Sequence, residues 1–106
     1  MEYKRIPNEY KVGGQKIEVH IVERCDNNDL GECCYAGGFI EIANTFNKDE
    51  RQTEDSKRNT FYHEMIHTIL QSMGEYELNG NEKFVNCFAG FLTEAMGKAV
   101  FEEGEL

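Results

Sequence analysis

Apolar and polar residues alternate along the first half of the chain and recur at a helical period along the second. In Ile17-Glu18-Val19-His20-Ile21-Val22, the residues Ile17, Val19 and Ile21 share one strand face, and His20 lies on the other, facing solvent. Short runs of this kind predict strands over Glu9 to Val12, Lys16 to Val22, Glu32 to Tyr35 and Phe39 to Ala43. Gly13-Gly14 and Gly37-Gly38 fall between them. Glycine takes positive φ at little cost, so each pair suits the turn of an antiparallel hairpin. Further along, the period changes. Phe61, Met65, Ile66, Ile69, Leu70 and Met73 are spaced for a helix that Gly74 ends and that Asp55, Ser56 or Asn59 can cap. A second helix begins near Asn81, with Val85, Phe88, Ala89, Leu92, Ala95, Met96 and Ala99 along its stripe. Strands first and helices afterwards predict an α+β fold, a small antiparallel sheet followed by two main helices.

Length fits one domain over residues 1–106, because a chain of this size buries ~60–70% of its unfolded surface and has no room for two cores. No repeat or low-complexity segment interrupts it. No apolar run approaches the ~20 residues that span a bilayer, and Met1 to Pro7 lacks the apolar stretch of a signal peptide, so a cytoplasmic location is expected. There Cys25, Cys33, Cys34 and Cys87 are expected to stay reduced. The net charge of −9 argues against direct binding to nucleic acid, whose phosphates need clustered cations, and against anionic membranes. It suits a basic protein partner or substrate, while Glu102-Glu103-Gly104-Glu105 reads as a solvated end.

The chemistry concentrates in His63-Glu64-Met65-Ile66-His67. Residues four apart on a helix lie one above the other, so both imidazoles can reach one zinc ion at ~2.0–2.1 Å. Glu64, beside the first ligand, can accept a proton from an activated water and deliver it to a leaving amine. Apolar neighbours bury this helix, and buried polar groups need partners. A catalytic zinc takes three protein ligands and leaves the fourth position open. Glu82, in the first turn of the second helix and on the core-facing edge with Val85, Asn86 and Ala89, is the leading third ligand. Glu75 and Glu77 in the preceding turn are substitutes, and a Glu at a helix start is also favoured by the macrodipole alone.

The two segments His63-Glu64-Met65-Ile66-His67 and Glu82-Lys83-Phe84-Val85-Asn86-Cys87-Phe88-Ala89 together resemble the ImmA/IrrE-type minimal zinc peptidases. That resemblance, which spans about Gly31 to Leu92, implies a zincin-like metallopeptidase with His63, His67 and Glu82 on zinc and Glu64 as general base. It implies that Asn86 touches or packs behind the ligands, and that Phe39 to Ala43 is a sheet edge able to pair with an extended substrate. The implied substrate is a protein or peptide, such as a repressor-like regulator cut once. Tyr62, Tyr76 and Tyr35 are candidates by residue type to stabilise the oxyanion. Two alternatives remain open. One is a closed, structural zinc site in a non-catalytic binding protein, with Cys87 or Cys34 as fourth ligand; the other is a zinc hydrolase acting on a non-peptide substrate.

Overall fold

The computed structural model describes residues 6–102; Glu103, Gly104 and Glu105 of the acidic end lie outside them. The strands are β1 (Glu9–Val12), β2 (Gln15–Arg24), β3 (Gly31–Cys34), β4 (Phe39–Phe46) and β5 (Glu50–Arg51). The helices are α1 (Glu54–Met73), the single-turn α2 (Tyr76–Asn79) and α3 (Glu82–Gly97). The fold is α+β, as the order of alternating and helical segments predicts. The two glycine pairs close hairpins as expected: β1 pairs antiparallel with β2, and β3 with β4.

The sheet is nonetheless mixed rather than antiparallel. Its order is β1-β2-β4-β3, with β5 beside β4, and β2 runs parallel to β4 with Val19 opposite Ile40 and Ile21 opposite Ile42. The reason lies in the strands' burial. Ile40, Ile42 and Ala43 of β4 are fully buried, whereas β3 reads Gly-Glu-Cys-Cys and has no fully buried residue. The hairpin therefore docks with its apolar strand inward against β2 and its polar strand outward. Phe39 to Ala43 is thus no sheet edge but a central strand, paired on both flanks, and the edge role falls to β3.

Helix α1 lies on this sheet, where Phe61 packs with Ile17, Ile40 and Ile42; its other side meets α3 through Ile66, Leu70, Val85 and Ala89. Ile21 is 48% exposed although it shares a face with the fully buried Ile17, so the apolar stripe of β2 outruns the covered part of the sheet. Thr53, not Asp55, Ser56 or Asn59, caps α1: its side chain accepts from the Ser56 amide at 3.0 Å. Gly74 ends the helix at φ 77°, and Asn81 caps α3 by accepting from the Phe84 amide at 3.0 Å. Buried Gln52 fastens helix to sheet. Its Nε2 donates to the Ala43 and Leu30 carbonyls at 2.7 and 3.0 Å, and its Oε1 accepts from Ser56 Oγ at 2.7 Å and Thr60 Oγ1 at 2.9 Å. Among the described residues no helix is long and apolar enough to cross a membrane.

Candidate metal centre

His63 and His67 stand one turn apart on the half-buried side of α1, and the turn through α2 brings the start of α3 back over them. Their Nε2 atoms are 3.2 Å apart, and the two carboxylate oxygens of Glu82 lie 3.7 Å from His63 Nε2 and 3.7 Å from His67 Nε2. Two atoms bonded at ~2.1 Å to one tetrahedral metal lie about 3.4 Å apart. The donor set therefore fits one ion with little adjustment. Its three ligand atoms all fall within 4.8 Å of one another, and among the described residues no other group of histidine, cysteine or acidic side chains converges this way. Together these residues can hold a metal ion.

Hydrogen bonds fix the direction in which the rings point. His67 Nδ1 donates to Asn79 Oδ1 at 2.6 Å, and Asn79 Nδ2 in turn donates to Gln71 Oε1 at 3.4 Å. A ring whose Nδ1 carries the proton presents a bare Nε2 lone pair, the form that binds metal. His63 has a side-chain hydrogen bond with Asn86, one turn after Glu82. Burial, followed by the neighbouring His67, holds the His63 pKa below the ordinary imidazole value, against the opposing pull of Glu82 and Asn86. The neutral ring is thereby favoured, as ligation requires.

Glu64 is only 7% exposed, lines the same cavity, and has no hydrogen bond or ion pair with any described residue. Burial is the main reason its carboxyl is pushed up to about 8, with Glu82, Asp29 and Glu32 adding to the shift. Gly31 makes room for it. A Cβ there would stand 2.5 Å from Thr60 Cγ2, 2.9 Å from the Glu41 carbonyl and 3.2 Å from Glu64 Cγ, so only glycine lets β3 pass this close to α1. The resulting cavity, of about 1090 Å³, is walled by β3 and the segment before it, by α1, and by the start of α3.

The other candidates separate cleanly. Tyr35 lines the cavity, whereas Tyr62 packs between the two core clusters and Tyr76 is 65% exposed, and neither of these lines it. Glu75 and Glu77 stay outside the donor group, as do Cys34 and Cys87, both exposed. His20 is occupied elsewhere, stacked on Phe39 at 5.0 Å with its Nε2 3.0 Å from Glu18 Oε1. Asn79 is the site residue that sequence reasoning missed. Its signal was Asn79-Gly80-Asn81, which reads as a turn and says nothing of where the first Asn aims. The acidic wall was missed as well. Asp26-Asn27-Asn28-Asp29 reads as a polar loop, and Asn27 and Asn28 both take φ 59°, a conformation that asparagine tolerates. Comparison with protein-family models, curated proteins and solved structures gives no match to this chain.

Proposed function

We propose that this protein is a zinc-dependent peptidase that hydrolyses a peptide bond in a protein substrate. In this reading His63, His67 and Glu82 hold the zinc and Glu64 is the general base. One observation carries it: three donors converge, with no fourth protein ligand among the described residues, and open onto a large cavity that also receives the buried Glu64 carboxyl, which has no partner among those residues. A zinc ion held there supplies Lewis acidity, lowering the pKa of water and polarising a carbonyl oxygen.

The chain's own groups do the rest. Asn79 and Asn86 orient the two imidazoles, so the ligand atoms need little rearrangement on metal binding. The burial of Glu64, followed by the neighbouring Glu82, Asp29 and Glu32, raises its affinity for a proton, which suits a group that must take one from water and return it to the leaving amine. Tyr35, the tyrosine on the cavity wall, is the residue we assign to the developing oxyanion. The sequence resemblance to ImmA/IrrE-type peptidases supports the same roles and implies a regulatory protein, such as a repressor, as the substrate. The closed structural site is disfavoured because no cysteine joins the donor group.

Metal analysis combined with a cleavage assay tests the proposal. Wild type is expected to hold about one zinc per chain. Glu64→Gln should keep the metal and lose hydrolysis, while His67→Ala should lose both. Full hydrolysis by Glu64→Gln, or a wild type that refuses added zinc, would refute it.

A further inference from the structure

Asp26, Asp29 and Glu32 line the cavity in addition to Glu64 and Glu82, and among the described residues no lysine or arginine lines it. None of these first three forms an ion pair among the described residues. The carboxyl of Glu32 is held above its usual range by burial and by the neighbouring Asp26, Glu41 and Asp29, against a backbone hydrogen bond from Asp26, so this wall gathers like charge. It is not a second cation cage, because among the described residues only His63, His67 and Glu82 converge tightly enough to share one ion. Negative charge spread along a wall matches positive groups spread along a chain.

A second observation comes from Glu64. It is more than nine-tenths buried, has no hydrogen bond or ion pair among the described residues, and opens into the same cavity. Asp26, Asp29, Glu32 and Glu64 thus all line one space, and a cationic group that enters it meets carboxyl groups on both walls.

We infer that the cavity selects peptides carrying lysine or arginine beside the bond presented to the metal donors, with Asp26, Asp29 and Glu32 as the specificity-determining carboxylates. The inference rests on the peptidase reading of this site. Each partly shielded charge pair is worth a few-fold in affinity, so removing all three should weaken a basic peptide about 10–100-fold.

The test is fluorescence anisotropy on the full chain, with and without zinc, using labelled peptides of equal length that carry Lys/Arg, Gln or Glu at the same positions. Wild type should favour the basic peptide at least about tenfold over the Gln peptide, and lose that preference as salt rises. The variant Asp26→Asn/Asp29→Asn/Glu32→Gln should not discriminate. A control, Glu9→Gln/Glu50→Gln/Glu94→Gln, removes the same charge from exposed positions outside the cavity and should behave as wild type. Circular dichroism checks that each variant is folded, and single substitutions, each giving a partial loss, replace the triple one if it is not. The idea is overturned if wild type shows no preference, if the cavity variant keeps it, or if the control loses it equally. Zinc content and cleavage are read separately. A chain that cuts peptides regardless of charge refutes this inference and leaves the peptidase intact. A metal-free, inactive chain that still discriminates by charge removes the peptidase and keeps the cavity's preference.

Discussion

Glu64→Gln should change how the metal-free protein's stability depends on pH. The carboxyl is buried and its pKa is raised from 4.5 to about 8, so between those values the folded chain keeps a proton that the unfolded chain has released. Stability from this group is fully present below the lower value and is lost as pH rises toward the upper one. Each pH unit within that window removes about 1.4 kcal/mol, so going from about pH 5 to about pH 7 should cost wild type about 2–3 kcal/mol through Glu64 alone. That is a large part of the ~5–15 kcal/mol that holds a domain of this size together. Glutamine keeps the shape and cannot ionise, so the variant lacks this slope and should be the more stable protein near neutrality. The assay is urea unfolding followed by circular dichroism, both proteins in chelator, at several pH values in that window. Subtracting one curve from the other removes the other titrating groups, His63 among them. Equal slopes, or a wild type that gains on the variant as pH rises, would mean that Glu64 is already ionised in the folded chain.

Two further outcomes follow from particular contacts. Asn79→Ala should weaken zinc binding about 10–100-fold in competition with a chromophoric chelator, whereas Asn79→Asp, which still accepts from His67 Nδ1, should retain most of the affinity; equal affinity in all three proteins would deny Asn79 any part in orienting the ring. Gln52→Ala should lower the urea-unfolding free energy by about 2–4 kcal/mol, because it removes the side-chain partner of the Ala43 carbonyl and the Thr60 hydroxyl in a buried place, and of the half-buried Ser56 hydroxyl, while the Leu30 carbonyl keeps the Ala43 amide; a loss below ~1 kcal/mol would show that water replaces the amide.

What the sequence discloses divides along the range of the interactions. The hairpins at Gly13-Gly14 and Gly37-Gly38, the stop at Gly74 and the start of the second helix near Asn81 depend on a few neighbouring residues, and all are legible. His63 and His67 share a helix face by spacing alone. Glu82 was placed by the start of the next helix, and the structure brings it to both histidines. The parallel pairing of β2 with β4 was not legible, because a glycine turn says that two strands meet and not which one then faces a third. Alternation puts Ile21 on one face with Ile17, yet where the helix layer stops covering that face is a tertiary fact. Asn79 was silent for a like reason: its contact with His67 depends on the angle of a four-residue helix. Tyr62 and Tyr76 were nominated by residue type, which carries no direction, and only Tyr35 reaches the cavity.

The three metal donors lie within residues 63–82, on one continuous stretch of α1, α2 and α3. Bringing them together closes a loop of about 20 residues, an early and inexpensive event for a folding chain. The parallel ladder of β2 and β4 joins Glu18 to Phe39 across a span of similar length. The acidic carboxylates of the cavity are carried by a third stretch, β3 and the loop before it. The donors that could hold a metal ion and the carboxylates proposed to choose a substrate therefore sit on separate segments of the chain, so under that proposal one set can be exchanged while the other stays as it is.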